Sequence, residues 1–195
     1  MVEWLLAKDK LVFLWINSLH HPFFDNWMVW ISGNVFWIPF YIFILWLLWR
    51  KYAWKSVFIL FLLALIVLLA DQGSVLLFKN VFQRLRPCHD PSLEGLVHIV
   101  NGRCGGQFGF VSSHAANVFA VSSFLILLFR QTGFSAGLLC WAMLVSFSRI
   151  YLGVHFPGDV VCGALFGMGV GIMVFYLWAK SKALFADKER KAGNG

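Results

Sequence analysis

The chain has 195 residues, of which 60% are hydrophobic, 18% aromatic and only 13% charged, with a mean hydropathy of +0.75. Soluble domains carry about a quarter of their residues as charges, so this composition excludes a soluble protein and identifies a polytopic membrane protein. The length allows one membrane domain, 1–195, and the net charge of +7 lacks the basic stripe with interleaved aromatics of a nucleic-acid surface.

Residues 1–21 come first. Glu3, Lys8, Asp9 and Lys10 interrupt Trp4, Leu5, Leu11, Phe13, Leu14 and Trp15, the pattern of a helix lying in the headgroup region with its aromatics dipped into lipid, rather than a span or a secretory signal. Five apolar stretches near bilayer length follow, at 27–49, 54–78, 114–129, 134–150 and 160–179. The expected fold is therefore all-α, a polytopic bundle of about five transmembrane helices plus an N-terminal interfacial helix. Gly163, Gly167, Gly169 and Gly171 are spaced for close helix packing, Cys140 and Cys162 read as small apolar fillers, and the tryptophans near span ends read as an aromatic belt.

Basic residues orient the bundle. Arg50, Lys51, Lys55, Arg130 and the tail 180–195, with Lys180, Lys182, Lys188, Arg190 and Lys191, fall on one side, which the positive-inside tendency makes cytoplasmic. The loop 79–113 and the turn 149–159 are then extracytoplasmic, and Lys79, Arg84, Arg86, Arg103 and Arg149 run against the bias. A loop of this length is usually functional. It carries Cys88 and Cys104, for which a disulfide is favoured over free thiols, since closing a loop of about 15 residues contributes on the order of 3 kcal/mol. His89 and His98 lack a recognised zinc spacing with these cysteines. Arg84 and Arg103 read as solvated loop charges, His20, His21, His89 and His98 as interfacial or loop residues, and Asp71 as either a partner of a site or a polar residue facing the bundle interior.

Three blocks converge on that face: Lys79 through Arg86-Pro87, Ser112-Ser113-His114, and Arg149 through His155 to Asp159. Three cations match the distributed charge of a phosphoryl group. Ser112 and Ser113 open a helix whose first N–H groups can face an anion. Of the two histidines, His155 has a carboxylate four residues on, across Pro157-Gly158, that can fix its tautomer, so it reads as the nucleophile and His114 as the general acid.

These blocks resemble the signature of the type-2 phosphatidic acid phosphatase superfamily: lysine, six residues, arginine-proline; proline-serine-glycine-histidine; and serine-arginine, five residues, histidine, three residues, aspartate. The first and third match fully from Lys79 and from Ser148-Arg149. The middle block departs, with Val111-Ser112-Ser113-His114 replacing the proline and the glycine: Ser113 serves if only a backbone N–H is required, and is strained if the position needs a positive φ. The resemblance covers 27–179. It implies a phosphohistidine on His155 supported by Asp159, leaving-group protonation by His114, phosphate binding by Lys79, Arg86, Arg149 and Ser112, and no metal or other cofactor. It also implies a catalytic face outside the cytoplasm and usually six helices, so the usual first span has no counterpart here.

The substrate implied is a phosphorylated membrane lipid in a bacterial inner membrane, with the site facing the periplasm or cell exterior and no obligate protein partner. Undecaprenyl diphosphate and lipid A are favoured over phosphatidylglycerol phosphate and phosphatidic acid. The competing readings are a phosphotransferase using the same phosphohistidine and a non-catalytic scaffold or transporter.

Overall fold

The computed structural model describes residues 2–192, with side chains described for 3–182. Lys188, Arg190 and Lys191 of the expected basic tail fall outside the described side chains. Among the described residues there is no strand, only the isolated bridge between Leu85 and Phe108. Helices α1 (Val2–Asn17), α2 (Pro22–Ser32), α3 (Ile38–Tyr52), α4 (Lys55–Gly73), α5 (Asn80–Phe82), α6 (Ser113–Phe129), α7 (Thr132–Tyr151) and α8 (Pro157–Ala192) make an all-α membrane bundle. The segments Val35–Tyr52, Lys55–Phe82, Thr132–Tyr151 and Pro157–Lys182 are long and apolar enough to cross a bilayer.

The expected span at 114–129 is the shorter apolar helix α6, which has 17 residues and is packed on by α4, α7 and α8. It lies at the centre of the bundle, where Ala115, Ala116, Ala120, Phe124 and Leu125 are fully buried, and it is bounded by the Ser112 N-cap and a left-handed Arg130. Small residues govern the α6–α8 seam. A Cβ on Gly163 would lie 2.5 Å from the Ser112 carbonyl oxygen, and Cβ atoms on Gly167 and Gly171 would collide with the carbonyls of Ala116 and Ala120. Gly169, by contrast, faces open space, and Cys140 is exposed on the flank of α7 instead of filling the interior.

The first expected span, 27–49, is not one helix. Helix α2 ends at Gly33, whose N–H donates to Trp30 O at 3.0 Å, and a 3-10 turn at Val35–Trp37 leads into α3. Ser32, Gly33 and Asn34 favour turns over helix continuation, and Pro39 sits in the first turn of α3, where its missing N–H is no loss. A hydropathy reading averages across this break because tryptophan and valine flank it.

The second span runs on past its apolar stretch. After Gly73 the helix widens into a π turn, Ser74–Lys79, and closes with α5 before Gln83 turns left-handed at φ 47. Helix α1 packs against α7 and α8, and Phe13, expected to face lipid, is fully buried with its ring edge-on to Phe156 at 5.3 Å. Trp4, Leu5, Leu11 and Trp15 stay exposed.

The α3–α4 and α6–α7 turns meet at one end of the bundle: Lys51 lies 4.9 Å above the Phe129 ring, and the Tyr52 hydroxyl donates to Leu128 O at 3.1 Å. At the other end, the segment from Gln83 to Ser112 is three short 3-10 turns tied to α1, with Lys10 Nζ 2.7 Å from Asp90. Cys88 and Cys104 are joined by a disulfide. Since the α6–α8 seam depends on carbonyls where Cβ atoms would go, Gly167→Val is expected to destabilise by about 1–3 kcal/mol, read as a lower thermal midpoint in detergent by tryptophan fluorescence. Gly169→Ala leaves the midpoint unchanged.

Candidate active site

Each cationic phosphate-binding candidate is held by a neutral oxygen, a serine hydroxyl for Lys79 and Arg149 and backbone carbonyls for Arg86. Lys79 closes the π turn and donates from Nζ to Ser113 Oγ at 2.6 Å. Arg86 is placed by the Leu85–Phe108 bridge: its N–H donates to Gln107 O at 3.1 Å, its Nε to Phe108 O at 3.3 Å and its Nη1 to Cys104 O at 3.0 Å. The disulfide thus clamps the two loop segments between which this guanidinium is stretched. Arg149, in the last turn of α7, donates from Nη1 to Ser32 Oγ, a contact that needs the break after α2.

Ser112 is the N-cap of α6 and is fully buried; its Oγ accepts from Ala115 N at 3.5 Å and its N–H donates to Asp159 O at 2.9 Å. Its hydroxyl is therefore spent on the helix, and Ser112 is not among the residues lining the cavity. Ser113 opens α6 with helical backbone and is not among the residues of positive φ, so serine is unstrained where the family pattern has glycine. Its Oγ also lies 2.6 Å from Ser74 Oγ, linking Lys79 to the wall of α4. His114 follows in the first turn.

His155 sits between α7 and α8, 1% exposed, and Asp159 in the first turn of α8 is completely buried. His155 Nδ1 and Asp159 Oδ2 are 3.6 Å apart, and Oδ2 also accepts from Phe156 N at 3.0 Å. Burial pulls the His155 imidazole well below its ordinary pKa, and Arg86, Arg149 and Lys79 push the same way against the Gly109 carbonyl. Without a bound anion, then, His155 is neutral and carries a free lone pair. Burial also pulls the Arg86 guanidinium down, with Asp159 opposing.

A cavity of about 750 Å³ ties these groups together. Lys79, Arg86, Ser113, His114, Arg149 and His155 line its polar end, with Asp71 and Asn117 beside them. From there it runs between α3, α4, α6 and α7 along Leu45, Leu63, Val67, Leu125 and Val145. A cationic head on an apolar shaft fits an anionic group attached to hydrocarbon. Asp71 accordingly faces this cavity.

One expectation about the loop charges is corrected. Arg84 is not a solvated loop charge: Nη1 donates to Asp159 Oδ1 at 2.8 Å and Nη2 to Asp9 Oδ2 at 2.7 Å. Arg103 is exposed, as expected. His20 and His98 lie in loop backbone, as expected, and are tied down there. His98 Nε2 lies 2.9 Å from Asp25, its ring stacks on His20 at 3.9 Å, and its N–H donates to the fully buried Asn17 at 2.8 Å. His21 accepts from Phe23 N at 3.2 Å as the cap of α2. Nothing in a single sequence pairs residues so far apart.

Residues 57–183 match the family model of the PAP2 superfamily. The lipid A 4'-phosphatase of Bacteroides thetaiotaomicron is 41% identical over 181 residues, spanning 92% of this chain and 80% of that protein. The lipid A 4'-phosphatase of Porphyromonas gingivalis is 35% identical over 189 residues, spanning 95% and 80%. The crystal structure of Aquifex aeolicus LpxE superposes with a TM-score of 0.65 at 26% identity, over 85% of this chain and 93% of its own. The family match covers the same helices whose ends carry Lys79, Arg86, His114, Arg149 and His155 around one cavity, and the chain belongs to the PAP2 superfamily.

Proposed function

We propose that this membrane lipid phosphatase removes the 4'-phosphate of lipid A through a phosphohistidine on His155. The observation that carries the reading is the cavity, whose cationic end holds two histidines and whose shaft is apolar. The two lipid A 4'-phosphatases, matched over 92% and 95% of the chain, support lipid A over an isoprenyl diphosphate.

In the proposed reaction, Lys79, Arg86 and Arg149 hold the phosphate oxygens and spread the charge that builds on them. The His155 ring nitrogen opposite Nδ1 attacks phosphorus while His114 gives its proton to the departing sugar oxygen, so one P–O bond breaks as one P–N bond forms. Asp159 lies behind Nδ1 and stabilises the imidazolium as it develops, drawing the 3.6 Å separation toward hydrogen-bond length. Water then attacks the phosphohistidine, His114 takes its proton, and inorganic phosphate leaves. The catalytic end faces the periplasm, opposite the end that carries Arg50, Lys51 and Arg130.

His155→Ala and His114→Ala are each expected to lower kcat at least about 10³-fold, measured as phosphate release from lipid A in detergent. Wild-type turnover persists in a chelator. Activity surviving both substitutions rules out the mechanism. In a substrate panel, kcat/KM for lipid A exceeds that for undecaprenyl diphosphate and phosphatidylglycerol phosphate; the reverse order reassigns the lipid. Because His155 must be unprotonated to attack and its pKa is lowered, kcat/KM stays high as pH falls through the ordinary imidazole range near 6.5. It declines only below that range. A pH–rate profile whose acid limb lies at or above the ordinary value contradicts this.

A further inference from the structure

We infer that Arg84, anchored by Asp9 of α1, is a positioning residue for catalysis: it fixes the Asp159 carboxylate behind His155 and so makes the N-terminal helix part of the catalytic apparatus. The inference rests on the reading of His155 as nucleophile.

Asp159 is completely buried. A carboxylate in that setting is costly unless it is paired and its remaining lone pairs are satisfied. Among the described residues the one cation within hydrogen-bond reach of it is Arg84, at 2.8 Å from Oδ1. With Oδ1 taken by Arg84 and Oδ2 by Phe156 N at 3.0 Å, the plane of the carboxylate is set, and Oδ2 is left facing His155 Nδ1. Gly109 makes room for this arrangement, since a Cβ there would lie 3.0 Å from Oδ2.

The guanidinium is itself fixed: Nη2 donates to Asp9 Oδ2 at 2.7 Å and the group lies 4.1 Å over the Phe156 ring, while the Arg84 backbone is held separately, its carbonyl accepting from Gly109 N at 2.8 Å. Asp9 Oδ1 meanwhile accepts from Gly158 N at 2.8 Å, at the start of α8. Asp9 thus holds both the arginine and the helix turn that carries Asp159. Arg84 does not bind the substrate phosphate: it is absent from the cavity lining that Lys79, Arg86 and Arg149 share, and both of its terminal nitrogens are used by carboxylates. The arrangement needs arginine, because a planar fork reaches two carboxylates at once and an ammonium on its single tip holds one of them well.

The test uses the full chain in detergent with the lipid phosphate that the wild-type protein turns over fastest. Arg84→Met is expected to lower kcat about 10- to 100-fold with KM within about twofold, Arg84→Lys to recover part of the loss, and Asp9→Asn to lower kcat by a smaller factor. The double variant Asp9→Asn, Arg84→Met falls no further than Arg84→Met alone, because the two residues act as one unit. Arg103→Met, at an exposed position, leaves both constants unchanged. A rise in KM with kcat intact makes Arg84 a headgroup contact and overturns the proposal, as does an unchanged kcat or strict additivity with Asp9→Asn. If Arg84→Met does not fold, the kcat–KM split of Arg84→Lys and Asp9→Asn decides by the same criteria. His155→Ala is run alongside: activity in that variant defeats the nucleophile reading itself, whereas its inactivity beside a fully active Arg84→Met defeats only the role of Arg84.

Discussion

Three cationic side chains held around one point repel each other, and at the margin of a bilayer they lack the water that would screen them. Lys79, Arg86 and Arg149 nevertheless line the same end of one cavity. None of the three has a carboxylate within ion-pair distance among the described residues; their partners are Ser113, the carbonyls of Cys104 and Phe108, and Ser32. Neutral partners fix where each charge points without cancelling it. The attraction that would relieve the repulsion is therefore left for an anion, which is what the proposed binding of a phosphoryl group requires.

The one buried carboxylate at this end is kept apart from those cations and given its own. Arg84 takes Asp159, Asp9 takes Arg84, and the Asp159 backbone carbonyl accepts from Ser112 N at 2.9 Å. The start of α8 is thereby pinned to the start of α6. Small residues extend that contact along the two helices, with Gly163, Gly167 and Gly171 over Ser112, Ala116 and Ala120. Histidines on different helices keep their relative position because the helices cannot slide.

Much of this could be read from the chain alone, and the remainder has definite physical causes. The three motif blocks are local, their spacing survives in the sequence, and topology puts them on one face. Helix existence was legible for the same reason: each apolar stretch is long and nearly unbroken. What escaped was either a short break hidden inside an apolar run, as at Gly33, or a pairing across great sequence distance. Arg84 with Asp9 and His98 with Asp25 are each 73 to 75 residues apart, and neither partner has a feature in its own neighbourhood that announces the other. Phe13 was misplaced because one face of α1 is covered by protein, which a single amphipathic helix cannot reveal.

The π turn Ser74–Lys79 bears on how this chain tolerates length change. A π turn is what an α-helix becomes when one residue is inserted without moving the helix on either side, and each residue of an α-helix turns it by about 100°. Removing one residue between Ser74 and Phe78 would let this segment return to regular α winding with Lys79 still aimed at Ser113 Oγ, whereas a residue gained or lost in the regular part of α4 would rotate the lysine by about 100°. The rotational phase of the second span thus aims the lysine, and the π turn is a place where that span can lose a residue and keep the phase.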